Sequence, residues 1–182
     1  MHEEESLASL VYRAREGSET AMEALVNRFQ DRIAGFVYSL VGSHDAIQDI
    51  CQNIFLKMLS GLRHLKSDAS FESWLFRIAR NASFDFLRRK RIRGLLMLSF
   101  EPEHEEVALA AESCDRERLE SFRAALEQLP RAQKELILLL ADHDWSYEEL
   151  AKITGTTQNS VRSRLFRARE FLRQKMADND ED

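Results

Sequence analysis

The sequence predicts an all-α protein made of two small helical domains joined by an acidic linker. Three observations carry that expectation. Apolar residues recur at three- and four-residue steps through both halves, the period of an amphipathic helix. Only 6 Gly and 2 Pro occur in 182 residues, too few for a turn-rich β fold. No segment shows the apolar–polar alternation of a strand. A chain of this length makes one domain or two small ones.

The elements follow in order. A first helix runs from about Glu5 to Arg15. Met22, Leu25, Val26, Phe29, Ile33, Phe36, Val37 and Leu40 mark one long helix over 19–41, with Ser18 as N-cap and Gly42 as its stop. A second long helix runs from about Asp45 to Leu62, striped by Ile47, Ile50, Ile54, Met58 and Leu62. A polar loop, 61–68, ends it. The next helix starts near Ser70, carries Trp74, Ile78, Ala82 and Phe86 at four-residue steps, and runs into Arg88-Arg89-Lys90-Arg91. Residues 94–119 read as a linker around Pro102 and an acidic cluster. A second helical set is expected over 117–128, 131–141, 147–153 and 157–175. The domains are therefore placed at 1–93 and 120–176, with an acidic tail at 177–182.

Charge divides along the same lines. The net charge of -5 argues mildly against a polyanion partner, but it is an average. Residues 71–93 carry seven basic and two acidic side chains, net +5. Residues 156–175 carry six basic and one acidic, again net +5. Residues 101–120 carry eight acidic and two basic, net -6, and the tail 176–182 is net -4. Two compact cationic segments, one per domain, point to two nucleic-acid surfaces.

Several classes are set aside. Cys51 and Cys114 lack CxxC spacing, so neither a disulfide framework nor a zinc site is expected. No run of about 18 apolar residues occurs, so no membrane insertion is expected. The acidic start, Met1-His2-Glu3-Glu4-Glu5, is unlike a secretory signal, and a cytoplasmic location is the expectation. The doublets His44-Asp45 and His143-Asp144 invite a metal-dependent phosphohydrolase. Too few further His and Asp ligands support that, and no phosphate loop appears. No catalytic residue, metal or cofactor is expected.

The C-terminal half holds a motif. Ser146-Tyr147-Glu148-Glu149 has the form of a capping box. Leu150, Ala151 and Ile153 then give a two-turn helix, and Thr154-Gly155-Thr156 a tight turn. Thr156 or Thr157 caps a second helix whose buried stripe is Val161, Leu165, Ala168 and Leu172. Helix, Gly-containing turn, helix is the helix-turn-helix unit. Gln158, Asn159, Ser160, Arg162, Ser163, Arg164 and Arg167 remain for the exposed surface, a donor set suited to a major groove. A solvated cationic helix is the plainer alternative. In the N-terminal half, Ser70-Phe71-Glu72-Ser73-Trp74 leads into Arg77, Arg80 and Asn81. Aromatic rings beside guanidiniums suit unpaired bases, although the helical spacing of Trp74 equally suits a core.

These residues resemble regions 2 and 4 of a bacterial RNA polymerase sigma factor of the extracytoplasmic-function group. The resemblance covers about residues 18–93 and 120–175. It rests on Asp49 to Phe55, Ser70 to Asn81 and Asp85 to Arg89 in the first half. In the second it rests on Leu126 to Pro130, Ser146 to Ala151 and Val161 to Arg169. It implies a non-enzymatic promoter-specificity subunit that docks on core polymerase through the β′ clamp and β flap. Clamp contact would fall to Asp49, Gln52, Asn53 and Phe55. Contact with the melted −10 element would fall to Lys66, Ser67, Asp68, Ser70, Phe71, Trp74, Arg77, Arg80, Asn81, Arg88 and Arg89. Contact with the −35 duplex would fall to Thr157, Gln158, Asn159, Ser160, Arg162, Ser163, Arg164 and Arg167. An anti-sigma partner is a further expectation of the resemblance. Asn53 departs from it, standing where an acidic residue is usual. The competing reading is an autonomous helix-turn-helix regulator that binds duplex DNA without polymerase.

Overall fold

The computed structural model describes residues 5–65, 67, 70–97 and 113–179. The chain divides into two compact units, Met1–His104 with Lys152–Thr154, and Glu105–Ala151 with Gly155–Asp182. The described residues form helices joined by short turns and include no strand.

Four helices build the first unit: α1 (Leu7–Arg15), α2 (Glu19–Val41), α3 (His44–Gly61) and α4 (Phe71–Met97), with a 3₁₀ turn at Leu62–His64 between the last two. Ser6 and Ser18 start α1 and α2 by accepting from the amides of Ser9 at 3.3 Å and Ala21 at 3.4 Å. Each hydroxyl thereby satisfies one of the orphan donors of a first turn. α2 ends where the Gly42 amide returns to the Tyr38 carbonyl at 2.8 Å.

The apolar stripe of α2, Leu25, Phe29, Ile33 and Val37, is fully buried, as are Ile54 and Met58 of α3. Two edge-to-face ring pairs lock α2 to α4: Phe29 on Phe71 and Phe36 on Phe76, each with centroids 5.4 Å apart. Such pairs contribute about 0.5–1.5 kcal/mol each beyond their area burial. Arg32 lies over the edges of this seam, its guanidinium carbon 5.2 Å from the Phe29 centroid and 5.3 Å from that of Phe76. It also donates to Glu72 at 3.3 Å.

The α4 stripe is rotated from the expected one. Phe71, Leu75, Phe76, Ala79, Ala82 and Ser83 are buried, whereas Trp74, Ile78 and Phe86 are only half-buried. Four-residue spacing through Trp74 marks one edge of the apolar arc. The phenylalanine rings of α2 select its centre. The Ser83 hydroxyl, wholly buried, donates to the Ala79 carbonyl at 2.9 Å, so its polarity is met within the helix.

The second unit contains α5 (Ser113–Gln128), α6 (Arg131–Asp142), α7 (Tyr147–Thr154) as far as Ala151, and α8 (Gln158–Asn179). Ala125, Leu126 and Leu129 pack with Ala168 and Leu172, flanked by Phe122, Ile137 and Phe171. Leu136, Leu139, Leu150, Val161 and Leu165 are also buried.

Three expected boundaries move. α4 continues through Gly94 to Met97, because no proline interrupts it and one helical Gly costs only about 1 kcal/mol. α5 begins at Ser113, four residues before Glu117. α8 runs to Asn179, into the stretch expected as a tail. Of the expected linker, 98–112 lies outside the described residues.

Truncating Phe71 removes one half of a ring pair from a filled core. Phe71→Ala is expected to lower stability by about 3–5 kcal/mol, read as a shift in the urea midpoint. A loss under 1 kcal/mol would place the ring outside the core.

Candidate nucleic-acid interface

The solvent face of α4 is cationic because its opposite face carries the apolar seam. Arg77, Asn81, Arg88 and Arg89 are exposed. Arg80 lies half-buried one turn before Phe84, its guanidinium carbon 4.5 Å from the ring centroid. Its Nη1 donates to the Asn81 Oδ1 at 3.3 Å. Arg88 pairs with Asp85 at 3.0 Å, an exposed contact worth little in water. Phe84 was not singled out from the sequence; its position one turn after Arg80 is the signal that identifies it.

At the start of α4 the expected contact residues separate into two groups. Phe71, expected among the DNA contacts, is fully buried against Phe29. A first-turn aromatic beside a polar loop reads as open, yet here the loop lets it turn inward onto α2. Trp74 stays half-buried. The close seat of its indole depends on Gly61. A Cβ there would stand 2.9 Å from Trp74 Cζ2. Ser70 and Ser73 donate their hydroxyls to the carbonyls of Ser67 at 2.7 Å and Ser70 at 3.1 Å. With those protons committed, both oxygens face other partners as acceptors. Ser67 is exposed, and Lys66 and Asp68 lie outside the described residues.

On α3, Asp49, Gln52 and Asn53 are exposed and Phe55 is half-buried. Leu56, absent from the expected set, is 59% exposed and lies one turn from Gln52 and Asn53. The sequence signal is its place between Ile54 and Met58, off the buried stripe. Cys51, on the same helix, is half-buried, and burial pushes its thiol up from the ordinary range.

In the second unit the turn geometry is closed at each step. Ser146 Oγ accepts from the Glu149 amide at 3.2 Å, and the Glu149 carboxylate accepts from the Ser146 amide at 2.9 Å. Gly155 adopts φ 67° and ψ 36°, a left-handed conformation that costs a side chain about 1 kcal/mol or more. Thr157, expected as a DNA contact, has its hydroxyl accepting from the Ser160 amide at 3.2 Å and so caps α8. The turn thus aims the N-terminal end of α8 outward, with Gln158, Asn159, Arg162, Ser163 and Arg167 exposed and Ser160 and Arg164 half-buried. Arg162 stacks on Tyr147 at 5.3 Å and Arg167 donates to Ser163 at 3.0 Å. Tyr147 is a further residue that sequence reasoning left out of the surface. Phe166, 68% exposed, is another.

Comparison with known proteins agrees with both halves. The sigma-70 region 2 family model matches residues 25–92 and the sigma-70 region 4 model residues 119–172. The ECF RNA polymerase sigma-E factor of Haemophilus influenzae is 30% identical over 178 residues, covering 92% of this chain and 94% of that one. Its counterpart in Escherichia coli K12 is 33% identical over 177 residues, covering 92% of each. Among solved structures, the sigma factor RpoE in complex with the anti-sigma factor NepR, from Bartonella quintana, is similar with TM-score 0.70 and 26% identity. That likeness covers 85% of this chain and 96% of the other.

The raised thiol of Cys51 has a direct readout. Alkylation by iodoacetamide at pH 8 should run slower at Cys51 than in free glutathione, and should speed up as the pH climbs past the ordinary thiol range. A rate equal to that of glutathione at pH 8 would contradict the burial.

Proposed function

The chain belongs to the extracytoplasmic-function sigma factors of RNA polymerase, and from that premise we propose how its surfaces divide the work. The protein recognises promoters and initiates transcription through RNA polymerase. Its class is a non-catalytic promoter-specificity subunit, and we assign the same role to this chain, acting in the cytoplasm where the polymerase is.

The residue assignments are our own reading. α3 docks on the polymerase clamp through Asp49, Gln52, Asn53 and Phe55, with Leu56 added as an exposed apolar anchor. The start and solvent face of α4 hold the melted −10 element. Ser67, Ser70, Trp74, Arg77, Arg80, Asn81, Arg88 and Arg89 take part, and Lys66 and Asp68 join them as sequence-based assignments. Phe71 supports this surface from beneath. The exposed side chains of α8 from Gln158 to Arg167 read the −35 duplex in the major groove, with Thr157 fixing the helix start. By likeness to the complex of RpoE with NepR, an anti-sigma protein masks one or both surfaces.

One observation carries this division: two separate units each turn one cationic helix face outward over a packed apolar one. The first has aromatic side chains among its cations, as unpaired bases require, and the second stands behind a capped Gly turn, as a major groove requires. Transcription from a genomic library with purified core polymerase, followed by mapping of start sites, tests it. The expected result is polymerase-dependent initiation at a shared −35/−10 pair. Nanomolar sequence-specific binding by the chain alone would favour the autonomous-regulator reading instead.

Within that assay, Arg162→Ala is expected to weaken −35 binding by about 1–3 kcal/mol if the side chain meets a base edge. If it meets only phosphate, the slope of log K against log salt should fall by about one instead. An unchanged affinity and slope would remove Arg162 from the interface.

A further inference from the structure

We propose that Tyr147 is a positioning residue for the −35 contact: its ring is the platform that holds the Arg162 guanidinium in one pose for a pair of acceptor atoms on the DNA. The inference rests on the reading that the exposed start of α8 meets the −35 duplex. Tyr147 is the first residue of α7, and Arg162 lies in the second turn of α8, 15 positions later. The guanidinium carbon stands 5.3 Å from the ring centroid, within stacking range. The contact therefore ties α8 to the helix before it through a surface cation as well as through the core.

Both side chains are fixed at their base and open at their head. The Ser146–Glu149 bonds hold the backbone on either side of Tyr147. Val161, next to Arg162, is fully buried and sets where the arginine stem leaves α8. Tyr147 is 38% exposed, so its ring is no part of the core, and Arg162 is exposed as well. Among the described residues, no hydrogen bond or ion pair engages either side chain. A stacked ring covers one face of a guanidinium and leaves its N–H edges open. Such a planar edge matches two acceptors side by side, guanine O6 and N7 or two phosphate oxygens. An arginine that moves freely loses rotamer freedom on making that contact, and one already stacked loses less.

The test uses the full chain bound to core polymerase, on a promoter fragment taken from a mapped start site. Affinity is measured across a salt series, and on fragments with each −35 base pair changed in turn. The variants are Arg162→Ala, Tyr147→Leu, Tyr147→Phe and the Arg162→Ala/Tyr147→Leu pair. Arg162→Ala should weaken binding; flattened selectivity at one base pair assigns it to a base edge, and a salt slope lower by about one assigns it to phosphate. Tyr147→Leu should weaken binding about two- to fivefold with the slope nearly kept, because the charge remains without its platform. Tyr147→Phe should bind like the parent chain, and Tyr147→Leu should cost nothing further once Arg162 is gone. A purely structural role would instead cost the same in both backgrounds, and that additivity would overturn the inference even where Tyr147→Leu also lowers the melting temperature. Equal losses for Tyr147→Phe and Tyr147→Leu would assign the effect to the hydroxyl and overturn the platform role. A neutral Tyr147→Leu beside a damaging Arg162→Ala would overturn the inference alone. A neutral Arg162→Ala would take Arg162 out of the −35 contact, and the inference with it.

Discussion

The aromatic seam between α2 and α4 decides which way every functional group on α4 points. Phe29 meets Phe71 and Phe36 meets Phe76, both edge to face at 5.4 Å. These pairs fix the rotation of α4 about its own axis. With the seam inward, Arg77, Asn81 and Arg88 fall on the exposed side of the helix and Arg80 at its half-buried edge. A rotation of α4 by one residue would carry guanidiniums toward the α2 stripe, where burial of an unpaired charge is prohibitive. Arg32 reinforces the same choice, lying over two rings of the seam and donating to Glu72 of α4.

The second unit solves the same problem with backbone chemistry. α7 is only eight residues long and has little helical stability of its own. The reciprocal Ser146–Glu149 bonds fix its start and left-handed Gly155 fixes its end. Thr157 then starts α8 after one intervening residue, Thr156. Buried Leu150, Ile153, Val161 and Leu165 hold the corner from inside. The exposed start of α8 is therefore set by caps and core together, and its exposed polar side chains inherit that position.

Cation–ring contacts recur on both candidate surfaces. Arg80 stacks on Phe84 and Arg162 on Tyr147, at 4.5 and 5.3 Å. In each case an aromatic residue absent from the sequence-derived contact set lies against a member of that set. A half-exposed ring beside a guanidinium limits the poses the cation samples without burying its charge. Both surfaces thus use apolar groups to organise polar ones, which a list of charged residues alone misses.

Helix existence, helix order and the turn chemistry were legible in the sequence, because periodicity, capping residues and Gly positions are local properties. The α2 span and its Ser18 cap, the capping box at Ser146 and the Gly155 turn all follow from residues a few positions apart. The two cationic segments were legible for the same reason. Phe71 was not: whether a first-turn aromatic faces solvent or a neighbouring helix depends on Phe29, 42 residues away in sequence. Nor was the rotation of the α4 stripe, since Trp74 and Phe71 both keep helical spacing and only the rings of α2 choose between them. The extension of α4 past Gly94 was likewise invisible to a reading that takes glycine as a stop. The sequence by itself determined which segments are helices and where charge gathers. Packing between distant segments decided which side of each helix is core, and hence which side chains remain exposed.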